Sequence, residues 1–200
     1  MFLMLIGAWH VGFTIASANQ LTTLFNVKYG WTSQSDQTLY QSLIGSSIMV
    51  GLSAGAMFGG KIIVIGRRKT QLLMNLLGMV GVGMTLIENF WMLILGRVVY
   101  GLAVGVESVC MPRYVEEYVP LRRYSLCIAL YAFSINIGST TAICSAFILP
   151  PDADIQALMA DEVAWRYILG LPLVTFTLST LGFLFCIKYD GPSCYLAQAC

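Results

Sequence analysis

The sequence predicts an all-α integral membrane protein with six transmembrane helices, and three observations predict it. Of its 200 residues, 58% are hydrophobic and only 10% are charged, whereas soluble domains carry about a quarter charged residues and under half apolar ones. Six apolar stretches approach or exceed the roughly 20 residues that a helix needs to cross a hydrocarbon core. Lys and Arg collect in alternate connections, the pattern that sets orientation in a membrane. Apolar surface on this scale cannot be hidden inside so small a globule, so lipid must cover much of it.

The predicted spans are residues 1–25, 39–60, 70–87, 91–114, 125–149 and 165–188, one bundle over 1–188 followed by an inner-side tail at 189–200. Helices are required because backbone amides in lipid must be satisfied within the segment, and no barrel-like alternation is present. The connections at 26–38, 61–69, 115–124 and 150–164 are short, polar and charged. In the first span Ala16-Ser17-Ala18 imitates a cleavage site. No Lys or Arg precedes its apolar core, however, and apolar-compatible sequence runs on to Phe25, so it reads as a retained helix.

Lys61, Arg67, Arg68, Lys69, Arg113, Arg122, Arg123 and Lys188 fall on the side that holds both termini. The opposite side has only Lys28 and Arg166, with Asp36, Glu88, Asp152, Asp154, Asp161 and Glu162. The positive-inside rule therefore places both ends in the cytosol, or in the matrix of a mitochondrion.

Several function classes find no support. A net charge of +1 leaves no basic footprint for nucleic acid. Cys110, Cys127, Cys144, Cys186, Cys194 and Cys200 form no C-x-x-C pair and have no histidine at metal spacing, so no metal and no cofactor is expected. No nucleophile–base set or phosphate loop points to an enzyme.

The second span carries Gly51, Gly55 and Gly59 at four-residue spacing, one turn beyond Ser47. Such a strip lets another helix approach closely, which replaces the missing hydrophobic drive between helices in lipid. Gly101 and Gly105 repeat the device in the fourth span, as Gly78 and Gly81 do more loosely in the third. Packing is the favoured role over sliding.

Arg97 and Glu107 lie inside the fourth span, where ionisable groups are expensive. Their spacing sets them about 15 Å apart along the helix and roughly 80° apart around it, so they cannot pair with each other. Each needs the polar face of another helix, a water-filled cavity or another chain; for Glu107 a partner contact and a solute site are equal readings. His10, the only histidine, reads as a hydrogen-bonded packing residue, because its own span holds no carboxylate for a relay. Thr14, Asn19 and Gln20 on the same helix point to a face toward a cavity.

From the second span to the fifth the chain resembles the N-terminal half of facilitative glucose transporters, sugar porters of the major facilitator superfamily. Gly66-Arg67-Arg68 resembles that family's turn after helix two, and Gln71-Leu72-Leu73-Met74-Asn75-Leu76-Leu77 its third helix. Met92-Leu93-Ile94-Leu95-Gly96-Arg97 with Gly101 is similar to the opening of helix four. Pro112, Tyr114-Val115, Glu117 and Pro120 match its P-x-Y-x-x-E-x-x-P run, and Trp165-Arg166 the start of helix six. Gly7, Gly12, Phe13 and Asn19 resemble helix one. The resemblance implies half of a major-facilitator fold, built as a 3+3 inverted repeat. It also implies an inner-side charge cluster of Arg67, Arg68, Glu117, Arg122 or Arg123, and Asp190, that clamps two halves in one state.

The departures are specific. Ile63 stands nearest to where the family has an acid or amide before Gly66, and Tyr131 or Ala132 occupies the region of the fifth-helix glutamine that bonds sugar hydroxyls. The P-E-S-P-R signature is reduced to Asp190-Gly191-Pro192-Ser193. Thr14 replaces the aspartate of proton-coupled relatives, which argues against proton symport. Such carriers have two six-helix halves with the solute between them, so one half alone cannot alternate its access. The expected partners are therefore the lipid bilayer and another six-helix half or other membrane subunits. The role expected is an accessory or structural subunit; the alternative is a facilitative carrier of hexose-like solutes that needs a second half. His10, Thr14, Asn19 and Tyr131 are expected to point toward the face that meets that half.

Overall fold

The structure, a computed structural model, describes residues 2–31, 33–148 and 164–185. Every element among them is helical. Helix α1 (Phe2–Gln20) breaks at Leu21 and resumes as the short α2 (Thr22–Lys28). Helix α3 (Gln34–Ile62) ends in a 3-10 turn at Ile63–Ile65. Then come α4 (Arg67–Thr85), α5 (Phe90–Tyr118), α6 (Leu121–Ser145) with a 3-10 turn at Ala146–Ile148, and α7 (Ala164–Phe185).

Local chemistry places the boundaries. Gly66 takes φ 128° and ψ 129°, a conformation that a side chain disfavours, and it turns α3 into α4. The Asn89 side chain accepts a hydrogen bond from the Trp91 amide at 3.0 Å and so caps α5. At the other end Pro120 forces Val119 into extended backbone, with ψ 128°. Helix α5 thus runs through Tyr118, and the connection expected at 115–124 shrinks to Val119 and Pro120.

Among the described residues four helical stretches are long and apolar enough to cross a membrane: Gln34–Ile65, Phe90–Glu117, Leu121–Ser145 and Trp165–Phe185. The sequence predicts six. Helix α4 opens on Arg67-Arg68-Lys69 and carries Gln71 and Asn75, which lowers its hydropathy. The described apolar run of α1 covers only Leu5–Ser17.

Helix α3 lies along α5, α1 along α6, and α4 between α5 and α7. Glycines make these approaches possible. A Cβ on Gly51 or Gly55 would run into the Val98 or Leu102 carbonyl, and one on Gly101 or Gly105 into Ile48 or Leu52. The same device joins α1 to α6, where Gly12 meets the Ile135 carbonyl and Gly138 meets that of Trp9. That second seam belongs to a stripe of buried small residues, Ser134, Gly138 and Ala142, which the sequence reading overlooked although their four-residue spacing is its signal. Val50, Met57, Val80, Phe133, Val174 and Phe185 face outward, a surface suited to lipid.

Candidate functional site

A chain of buried polar side chains runs through the middle of the bundle and joins four helices. It starts on α7, where the Thr175 hydroxyl donates to the Pro172 carbonyl at 2.9 Å and lies 2.7 Å from Nε2 of His10 on α1. His10 Nδ1 stands 3.5 Å from Oε2 of Glu107 on α5. The other Glu107 oxygen accepts from Gln71 Nε2 on α4 at 2.6 Å. Gln71 also donates to Asn75 Oδ1 at 3.3 Å, and Asn75 Nδ2 returns to α7 by donating to Ser179 Oγ at 3.1 Å. His10, Gln71, Asn75, Glu107 and Ser179 are all no more than 1% exposed. In lipid-surrounded protein such groups persist only where they satisfy one another. The His10 ring is fixed from its face by Phe176, stacked at 3.9 Å between centroids.

The partner that Glu107 requires is thus a polar face built from three other helices. The carboxylate missing from the span of His10 arrives from α5. Gln71 and Asn75, and likewise Thr175 and Ser179, sit four residues apart in apolar helices, which is the signal that would have found them. Arg97 and Glu107 form no pair, as their spacing requires. Arg97 is buried, and among the described residues its Nε and Nη1 have no hydrogen-bond partner; the residue lines a cavity of about 10 Å³ with Phe13, Ser17, Thr85, Tyr100, Leu169 and Pro172. That space suits roughly one water.

His10 and Thr14 are fully buried among the helices, which corrects the expectation that they point to the open face. Tyr131 packs partly buried against the cluster of Met111, Tyr114, Val115 and Phe183. The side chain of Asn19 and the whole of Asp190 lie outside the described residues. A shallow groove of about 350 Å³ opens beside Leu5, Ile6, Trp9, Ser134, Ile137 and Thr175, lined almost wholly by apolar atoms.

Charged clusters close the two ends. At one end Arg67 is ion-paired with Glu117 and donates to the Arg113 carbonyl at 3.3 Å, while Arg68 Nε donates to the Phe183 carbonyl at 3.3 Å. Arg113 lies 3.6 Å from Glu116, which accepts from the Tyr124 hydroxyl at 3.2 Å. Among the described residues Arg122 and Arg123 make no ion pair and stay exposed. At the other end Glu88 accepts from Lys28 at 3.0 Å and from Arg166 at 2.7 Å. Those two hydrogen bonds and the positive charge behind them hold its carboxyl below its ordinary value. Both cations also lie over the Trp165 ring, Lys28 at 4.3 Å and Arg166 at 5.3 Å. Burial, then the charge of Glu88, pushes the neighbouring Tyr29 phenol up.

The fold is that of major-facilitator sugar transporters. It superposes on the xylose transporter XylE from E. coli, in a partially occluded inward-open conformation, with a TM-score of 0.83 at 18% identity, over 98% of this chain and 51% of that one. Hexose transporter 1 of Toxoplasma gondii is 27% identical over 201 aligned positions, covering 94% of this chain and 35% of that protein. The galactose-proton symporter of Escherichia coli (strain K12) is 31% identical over 160 positions, covering 79% and 32%. The chain therefore spans about a third of the length of these curated relatives. Its relatives are carriers and not enzymes. The description that fits residues 1–187 is "Sugar (and other) transporter", and the chain belongs to that family of membrane proteins.

Proposed function

We propose that the chain is one membrane-embedded wall of a sugar-transporter-like protein, that it does not move solute alone, and that it serves in a larger membrane assembly. The observation that carries this is the groove beside α1, α6 and α7. It is open, and Leu5, Ile6, Trp9 and Ile137 line it, while the polar groups of the bundle are turned inward to one another. A sugar needs hydroxyl partners on both sides and a second wall that rocks against the first. In this reading α1 with α2, α3, α4, α5, α6 and α7 are six spans in a 3+3 inverted repeat over residues 1–188, and 189–200 is an inner-side tail. Both ends lie in the cytosol or matrix, on the side of Arg67, Arg113, Arg122 and Arg123. The Arg67–Glu117 pair, with Arg68, Arg122, Arg123 and Asp190, acts as the inner clamp against the opposing wall.

A second reading keeps transport: the assembly is a facilitative carrier of hexose-like solutes, and an opposing six-helix half completes it. The relatives, which are named as transporters of hexose, galactose and xylose, favour it. Uptake of labelled glucose into proteoliposomes that hold only the purified chain separates the two. No uptake above empty liposomes is expected, and saturable uptake would overturn the first reading. Cross-linking in native membranes then shows whether a similar six-helix half or an unrelated subunit covers the groove.

A further inference from the structure

We propose that His10 and Glu107 together form a binding site for one proton, entered from the groove by way of Thr175. The inference follows from which atoms can donate. A carbonyl oxygen cannot donate, so at 2.9 Å from the Pro172 carbonyl the Thr175 hydroxyl must. Its hydrogen is thereby committed, and the 2.7 Å contact to His10 requires the hydrogen to sit on Nε2. A neutral imidazole carrying its hydrogen there turns a bare lone pair on Nδ1 toward Glu107. At Glu107 one oxygen already accepts from Gln71, and Oε2 stands 3.5 Å from Nδ1. Among the described residues neither Nδ1 nor Oε2 has a hydrogen-bond partner elsewhere.

Two lone pairs cannot face each other in a buried site without cost, so one further proton belongs to the pair. It resides either on Nδ1, giving an imidazolium beside a carboxylate, or on Oε2, giving two neutral groups. Both forms leave the site with no net charge, which burial favours. Loss of that proton leaves a carboxylate against a lone pair, with a net negative charge no more than 1% exposed. Gain of another leaves an imidazolium opposite a carboxylic acid. One bound proton is the state that the surroundings accept.

No other described charge takes over this role. Helices α4 and α7 present the neutral Gln71, Asn75, Thr175 and Ser179. On α5 the nearby titratable groups are Tyr100 and Cys110, and on α6 Tyr131. Arg97 lines a separate small cavity with Tyr100, one remove from the pair. Thr175 lines the open groove as well as touching His10, so it supplies the way in. Release of the proton would set α1 and α5 against each other at their polar contact, which ties helix packing to pH. Nothing in this depends on whether the chain carries a solute.

Because His10 is the only histidine of the 200 residues, its ring can be read without ambiguity. The whole chain in lipid nanodiscs, with ¹⁵N-labelled histidine and carboxyl-¹³C-labelled glutamate, is titrated by NMR across neutral pH. The expected spectrum shows either a doubly protonated ring with an ionised Glu107 or a singly protonated ring with a protonated Glu107. A neutral ring together with an ionised Glu107 in the folded wild-type protein would overturn the proposal, and that measurement needs no variant. In Glu107→Gln, whose amide donates to Nδ1 and whose oxygen still accepts from Gln71, the ring is expected to carry a single hydrogen, on Nε2. A doubly protonated ring in that variant at neutral pH would also overturn it.

Discussion

Gly55 on α3 and Gly105 on α5 stand back to back, each so placed that a Cβ on it would lie 3.0 Å from the other's Cα. With no side chain on either side, backbone packs directly on backbone along this seam, and dispersion over the whole contact holds the helices together. Gly105→Val is therefore expected to lower stability by about 1–3 kcal/mol, the usual cost of overpacking. Reversible unfolding in mixed micelles measures it. Gly83, where an added Cβ would meet none of the other described residues within 4 Å, is the control, and Gly83→Ala should be neutral or slightly stabilising. Equal losses at the two positions would refute the close seam.

The Arg67–Glu117 pair sits at one end of the bundle with each side chain 14% exposed. That places it between a surface pair and a desolvated one. A double-mutant cycle with Arg67→Gln and Glu117→Gln should give a coupling energy of about 1 kcal/mol. The coupling should shrink as salt is raised, because the pair is partly reached by water. A cycle that closes to zero at low salt would show that the pair does not hold α4 to α5.

At the opposite end, Glu88 accepts from both Lys28 and Arg166, and its folded value lies below the ordinary 4.5. A depressed carboxyl contributes stability that is complete above the unfolded value and is lost as pH falls through the folded one. Glu88→Gln should therefore be less stable than wild type at neutral pH. The gap should close in acid, once Glu88 itself is protonated in the folded protein. Thermal unfolding of both proteins at neutral and acidic pH tests this, and a gap that persists unchanged into acid contradicts it.

Much of the fold was legible because it depends on local chemistry. The turn at Gly66 acts within a few residues of itself, and the glycine strip of α3 declares itself by its four-residue spacing although it acts on α5. Pro120 was also visible, yet its consequence was misjudged, since an extended Val119 lets α5 and α6 meet with hardly any loop. The candidate site was less legible. Arg97 and Glu107 stood out as buried charges, but Gln71, Asn75, Thr175 and Ser179 did not, because neutral polar residues are common enough in spanning helices to pass unnoticed. His10 was read by its own helix alone, and so its partner was missed.

By itself the sequence determined the solvent and the local form of this protein: too much apolar surface for water, backbone amides that lipid will not satisfy, and hence helices. The tertiary structure decided which side chains meet. His10 and Glu107 come into contact only because α1 and α5 pack at one rotation and depth. That placement is set by glycine seams and by the sum of many weak contacts across helices far apart in the chain. Local chemistry chooses a helix residue by residue, whereas the angle at which two helices cross belongs to neither of them alone.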